Sequence, residues 1–218
     1  GYEEFMARMG PALTAGQSQA VRLSNGYLTA FLSSELGKPT EAKTGTGEYV
    51  GVSRDGRPLR DALRGPVITV KLELRQGRDL ATGMRRGLTR ALGIVGLEFD
   101  HAARRSLQDA IIADPQIVGY RRAVRGTCAA CLATAAGTFD GNVHFPVHPS
   151  CQCVTEPVVR GVKDTFPRLT GEQIFAAKTA AEQDEAIGKK AADAVRTGLV
   201  TLTALVEVQR QAKADVIT

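Results

Sequence analysis

Five residues that can bind a metal ion lie in one short window of the sequence. Cys128 and Cys131 form a C-x-x-C step, and sixteen residues later the segment H-P-S-C-Q-C supplies His148, Cys151 and Cys153. Thiolates and imidazoles are the preferred ligands of Zn²⁺, and two short chelating steps on separate arms bring them together with little loop entropy to overcome. The window therefore predicts a structural zinc knuckle, because four protein ligands complete a tetrahedron and leave no position for a substrate.

The predicted ligand set is Cys128, Cys131, His148 and Cys151, with Cys153 as the alternate ligand. The two chosen arms have matching two-residue spacers, whereas we expect Cys151 and Cys153 to point apart unless a local turn lets them share one ion. His144 lies four residues before His148, and its role as a ligand, a supporting hydrogen-bond partner or a solvent-facing residue stays open. A pair of disulfides is the competing interpretation, which the lack of any mark of an oxidising compartment disfavours.

Length and composition favour a compact, mainly helical protein. The chain has 218 residues, and the 43% that are apolar are enough for a core in one or two domains. Aromatic residues make up only 5% and Trp is absent, which suits packed helices better than a large sheet. No apolar run approaches the roughly twenty residues that cross a bilayer, and no charged segment followed by an apolar core opens the chain. We therefore expect synthesis in the cytoplasm and no membrane partner.

Apolar periodicity predicts helices on both sides of the metal window. Residues 2–36 and 61–114 repeat apolar side chains at helical spacing, and the second stretch predicts two helices broken near Gly77. Residues 117–125 and 154–159 have the pattern of short strands, which a metal ion would pin together. The segment T-G-E-Q from residue 170 is a capping box that opens a short helix, and a further helix is expected at about 181–197.

These elements predict a mainly α protein with a small β component, of the α+β class. The expected parts are a helical N-terminal region at 1–115, a zinc-pinned β-hairpin module at 116–165 and a helical C-terminal tail at 166–218. We expect the tail to pack on the zinc module or on a neighbouring molecule.

Positive charge is concentrated between residues 60 and 90. This stretch holds eight basic and three acidic residues, and its surplus of +5 equals that of the whole chain. The candidate contacts for a polyanion, or for an acidic protein ring, are Arg75, Arg78, Arg85 and Arg86, which fall roughly along one side of a helix. A solvated helix face is the simpler interpretation, because no base-stacking aromatic residue lies nearby.

Motifs of catalytic sites are missing from the sequence. It contains no P-loop, no G-x-S-x-G elbow and no H-E-x-x-H segment. The C-x-x-C step follows Gly126-Thr127 instead of Pro, and no H-x-E accompanies it, as a zinc deaminase would require. His101 lies on a predicted helix near Glu98 and Asp100, an arrangement more typical of a solvated residue than of a general base. We therefore expect a protein that is not an enzyme.

The order of the segments resembles the MuF-like minor head proteins, or head morphogenesis proteins, of tailed bacteriophages. The resemblance is carried by R-G-T-C-A-A-C, by F-P-V-H-P-S-C-Q-C and by a tail with T-G-E-Q-I-F, E-Q-D-E-A-I-G and R-T-G. It spans most of the chain and is strongest from Val118 to Gly198, while G-V-S-R-D-G-R-P-L at residues 51–59 looks like an actinobacteriophage segment. The H-P-x-C-x-C step is its most specific element. Family members usually have a bulkier residue between the paired cysteines and often an aromatic core after the first pair, whereas this chain has Ala129-Ala130 and Phe139.

This resemblance implies a structural protein of the virion, present in few copies in the interior of the phage head. The implied partners are the portal protein and the major capsid protein, with contact to packaged DNA left open, and the implied cofactor is structural Zn²⁺. No small-molecule substrate is implied, and the motifs of the protease or toxin domains fused to some relatives are missing. Two other classes remain as alternatives: a stand-alone zinc-containing DNA-binding protein and a secreted effector enzyme.

Overall fold

The structure, a computed structural model, describes residues 2–43, 47–125, 129–135, 137–143, 151, 153–163 and 169–205. The chain divides into two compact units, Gly1–Pro115 and Gln116–Thr218. The first is built from helices, and the second combines a small antiparallel sheet with short helices. The predicted α+β class with a helical N-terminal region is therefore confirmed. Among the described residues, no helix combines the length and apolar character needed to cross a membrane.

Four helices form the N-terminal unit: α1 (Tyr2–Leu36), α2 (Leu59–Ala62), α3 (Arg64–Arg75) and α4 (Leu80–Ala113). The predicted break near Gly77 is confirmed, because Gly77 has a φ of 76° between α3 and α4. A positive φ costs glycine little and other residues more, so the chain can turn there. Asp79 then caps α4 by accepting a hydrogen bond from the backbone N–H of Thr82 at 2.8 Å.

Helix α4 packs along both α1 and α3, and glycines set the closeness of each contact. A Cβ atom on Gly16 of α1 would lie 2.2 Å from the ring of Phe99, and one on Gly87 would lie 2.5 Å from a methyl group of Val70. A core cluster beside α1 and α4 contains Leu13, Leu59 and Leu63, with Phe5, Met6, Ile94, Val95 and Phe99 packed against it. Large apolar side chains of α4 such as Leu88 and Leu92 remain exposed.

Two buried polar side chains hold the turn at residues 51–58 against α1 and α4. Gln17 donates to the carbonyl of Val52 at 2.9 Å and accepts from the N–H of Gly51 at 2.7 Å. Glu98 of α4 accepts from the N–H of Arg54 at 2.7 Å. Because these backbone groups have no helical or sheet partners of their own, the two side chains fix the shape of the turn.

The C-terminal unit begins with a three-stranded antiparallel sheet. Its strands are β1 (Ile117–Ala123), β2 (Thr138–Phe139) and β3 (Val154–Val159), in the spatial order β2-β1-β3. Helix α5 (Ala129–Ala133) lies between β1 and β2 in sequence. The two predicted strands are confirmed as the pair β1–β3, in which Ala123 lies opposite Val154. Strand β2 was not predicted, and it is fixed by stacking of Phe139 on Tyr120 at a centroid distance of 5.4 Å.

Three short helices follow in the described part of this unit: α6 (Gly171–Ala176), α7 (Ala180–Ile187) and α8 (Lys189–Arg196). The predicted capping box at Thr170 and Gln173 is confirmed. The single helix expected at about 181–197 is wrong, because Gly188 has a φ of 83° and separates α7 from α8. A core cluster contains Leu132 of α5 with Phe175, Ala192 and Leu202. The C-terminal helices therefore pack on the helix that carries Cys131.

Candidate metal centre

Three of the four cysteines converge in the C-terminal unit. Cys131, Cys151 and Cys153 are buried, and their sulfur atoms all lie within 4.8 Å of one another. The Sγ atoms of Cys131 and Cys151 are 3.8 Å apart, far beyond the roughly 2.05 Å of a disulfide bond. A group of three buried sulfur ligands at this spacing can hold a metal ion.

The helix that carries Cys131 and the strand that follows Cys153 are both held in place by packing. Cys131 lies on α5, and the next residue, Leu132, is fully buried in the cluster formed with the C-terminal helices. A Cβ atom on Gly171 would lie 1.9 Å from the carbonyl oxygen of Leu132, so α5 and α6 approach as closely as glycine permits. Cys153 immediately precedes β3, which is fixed in register by its pairing with β1. Both the helix and the strand are thus held by contacts other than the thiols.

A buried arginine lies directly against the sulfur atoms. Arg122 of β1 is only 5% exposed, and its Nη1 atom is 3.5 Å from the sulfur of Cys131 and 3.7 Å from that of Cys151. A guanidinium keeps its positive charge under all ordinary conditions. It therefore offsets the negative charge that thiolates, or a metal–thiolate group, would bring into this buried site.

Proton sharing between two of the thiols prepares the cluster for a cation. The pKa of Cys153 is lowered to about 4, chiefly by the hydrogen bond from Cys131 and further by the backbone N–H of Arg125 and the side chain of Arg122. The same hydrogen bond, together with burial, raises the pKa of Cys131. Because a metal ion binds the thiolate form, the lowered pKa of Cys153 favours metal binding, and binding by both sulfur atoms would release protons.

The structure changes the place of Cys153 in the predicted ligand set. Cys128, His144 and His148 lie outside the described residues, whereas Cys131 and Cys151 lie together as expected. The expectation that Cys153 points away from Cys151 is wrong, because the sulfur of Cys153 joins the same cluster. The physical reason is that residues two apart on an extended segment lie on the same face.

Arg122 belongs to this site but was not among the site residues predicted from the sequence. Residues two apart on a strand share a face, and Arg122 lies two residues after the fully buried Tyr120. A basic residue on the buried face of a strand next to a cysteine window is the signal that indicates it. The adjacent Arg121 has no such position, since it is half-exposed and contacts Thr138 of β2 at 3.3 Å.

The four arginines predicted as polyanion contacts do not act as one row. Arg78 and Arg86 both bind Glu73, at 2.9 and 2.7 Å, which draws their charge into the packing between α3 and α4. Arg75 and Arg85 are exposed and have no ion pair within the described residues. Only these two of the four therefore present an uncompensated charge.

Comparison with protein-family models, with curated proteins and with solved structures gives no match for this chain.

Proposed function

We propose that this chain is a non-enzymatic minor head protein of a tailed phage, of the MuF-like kind, whose C-terminal unit is organised by one structural zinc ion. The observation that carries the proposal is the burial of Cys131, Cys151 and Cys153 together beside Arg122. Two of these cysteines belong to the H-P-x-C-x-C segment, the most specific element of the resemblance. The cluster gives that motif a physical purpose, since it joins α5 to the sheet.

Zinc is the metal that this donor set favours. Soft sulfur ligands select zinc, copper(I) or iron–sulfur clusters over magnesium and calcium, which prefer oxygen. Four ligands at about 2.3 Å from zinc in a tetrahedron stand about 3.8 Å apart. The Sγ atoms of Cys131 and Cys151 have this separation, 3.8 Å. When bound, zinc would cross-link the sulfur atoms and supply folding free energy.

The fourth ligand in this proposal is Cys128 or His148. Both lie outside the described residues, and both are close in sequence to a described ligand. A site with four protein ligands is closed, so no water or substrate reaches the metal and the site serves the scaffold. This is why we propose a structural role for the metal and no catalytic one.

The proposed location is the interior of the virion head, with the portal protein and the major capsid protein as partners. Long exposed helices in the N-terminal unit supply surface for contacts between proteins, and the uncompensated charges of Arg75 and Arg85 are compatible with a further contact to packaged DNA. Synthesis would take place in the host cytoplasm before head assembly.

Quantitative mass spectrometry of procapsids and mature particles tests this assignment. The amount of this chain is normalised to that of the portal protein in particles of the phage that encodes it. A small, reproducible ratio is expected, and its persistence in mature particles would show that the protein remains after assembly. Absence from both particles contradicts the head assignment, and tight, salt-sensitive binding to duplex DNA would then favour the stand-alone DNA-binding protein.

A further inference from the structure

The first half of α4 carries a row of exposed large apolar side chains. The row, which we call the α4 stripe, consists of Leu80, Met84, Leu88 and Leu92, which are 61%, 56%, 60% and 64% exposed. Residues four apart lie on the same face of a helix. At 1.5 Å per residue the stripe is about 18 Å long. Single exposed leucines are common on protein surfaces, but an aligned row of this length is typical of an interaction site.

Contacts within the N-terminal unit do not cover the α4 stripe. Helix α3 packs on the adjacent face of α4, where Gly83 and Gly87 admit the side chain of Val70. Met84 and Leu88 each follow one of these glycines by one residue, so the middle of the stripe borders the groove between the two helices. Leu74 of α3, one turn after Val70, is 43% exposed and extends the apolar surface at this border.

The charges around the stripe are positive, and the nearby acids are already engaged. Glu73 binds Arg78 and Arg86, and the carboxylate of Asp79 caps α4. Lys71, Arg75 and Arg85 are exposed and have no ion pair within the part of the chain that the structure describes. A second copy of this surface would bring like charges together, whereas an acidic partner would neutralise them.

The geometry points to a docking site for an acidic amphipathic helix of another protein. In such a complex, apolar residues of the partner helix at spacings of three and four pack on the α4 stripe. Glutamate or aspartate residues at its borders pair with Lys71 and Arg85. The chemistry of this partner helix follows from the surface alone. If the helix belongs to the portal protein, that identification rests on the proposed function.

Binding of three designed peptides to the full chain tests the site. The first is an amphipathic helix of about four turns with leucines on one face and glutamates at its borders. The second has lysine in place of every glutamate, and the third has the composition of the first in scrambled order. Fluorescence anisotropy should detect binding of the first peptide only, and this binding should weaken as salt is raised because the flanking charges are exposed.

Surface variants locate the binding. M84Q/L88Q removes two apolar contacts and K71E/R85E reverses the charges, and each should raise the Kd of the acidic peptide roughly tenfold or more. Leu23→Gln is the matched control, because Leu23 is also 64% exposed but lies on α1. This control should leave the Kd unchanged. All substituted side chains are exposed, so circular dichroism should show the same helix content in every variant.

Several results would overturn the inference. Equal binding of the acidic and basic peptides would remove the charge argument, and a dimer that M84Q/L88Q dissociates would assign the stripe to a second copy. Duplex DNA binding that needs Lys71 and Arg85, without binding of the acidic peptide, would assign the surface to nucleic acid. If the chain is found with portal protein in particles but does not bind the acidic peptide, the docking site is wrong and the head assignment stands. If the chain binds the peptide but is absent from particles, the docking site stands and the head assignment is wrong.

Discussion

Replacement of Arg122 by methionine tests whether its charge supports the metal site. Methionine keeps most of the volume of the side chain and removes the cation, whose Nη1 atom lies 3.5 and 3.7 Å from the sulfurs of Cys131 and Cys151. A hydrogen bond to a charged group contributes about 1.5–3 kcal/mol. The cost of burying the guanidinium offsets part of this gain. Loss of a partner that hydrogen-bonds to metal ligands typically weakens metal binding about 10–100-fold, which corresponds to about 1.4–2.7 kcal/mol. We therefore expect a roughly 10–100-fold weaker zinc affinity.

Competition with a chromophoric chelator at neutral pH measures this affinity directly. Arg121→Met is the control, because Arg121 is the neighbouring arginine of the same strand and contacts Thr138 instead of a sulfur atom. The control should bind zinc as the wild type does, and Arg122→Lys should retain part of the affinity because it keeps the charge. If Arg122→Met binds zinc as tightly as the control, the proposed role of the buried charge is wrong.

Three further predictions concern stability. Gly171→Ala should cost about 1–3 kcal/mol or more in the free energy of unfolding, because its Cβ would lie 1.9 Å from the carbonyl oxygen of Leu132; chemical denaturation of the zinc-loaded chain measures this. Burial raises the pKa of Glu98 above its usual 4.5. The contribution of Glu98 to the stability of the fold is therefore largest at acidic pH and is lost as pH rises through the raised pKa. Glu98→Gln, which keeps an acceptor for the N–H of Arg54, should therefore gain stability relative to wild type between pH 4 and pH 7. Thr179→Ala removes the capping box of α7 and should cost about 1 kcal/mol, measured by the denaturation midpoint.

Each of these predictions has a contradicting result. Full stability of Gly171→Ala would mean that α5 and α6 do not approach as closely as described. Lower stability of Glu98→Gln at pH 7 would mean that the carboxylate is favoured in the fold, against the raised pKa. Thr203→Ala serves as the control for Thr179, because the hydroxyl of Thr203 caps no helix among the described residues and hydrogen-bonds to the exposed Glu172 at 3.2 Å. An equal loss of stability in both variants would mean that the loss in Thr179→Ala does not come from helix capping.

Local signals in the sequence predicted most helix and strand positions. Apolar spacing predicted the long helices, Gly77 predicted the break before α4, and Thr170 with Gln173 predicted the start of α6. Gly188 was overlooked because a single glycine is tolerated within a helical pattern, and only its φ of 83° separates α7 from α8. Strand β2 has two residues, too few for any alternation to be detected.

The candidate site was predictable in its chemistry but not in its geometry. The spacing of the cysteines indicated a metal cluster, since few other arrangements place so many thiols in one window. The inclusion of Cys153 agrees with the shared face of residues two apart, whereas the burial of Arg122 depends on the pairing of β1 with β3. This pairing is a tertiary contact, to which residue spacing along the chain is insensitive.

Native mass spectrometry of the full chain, purified without added metal or chelator, tests the central claim most directly. We expect one zinc ion per chain, with loss of the metal and of the folded C-terminal unit in Cys131→Ser, Cys151→Ser and Cys153→Ser. Parallel variants Cys128→Ser and His148→Ala should identify the fourth ligand, since only one of them should lose the metal. A metal-free chain that is fully folded, or a Cys153→Ser variant that retains zinc at wild-type affinity, would contradict the site as described.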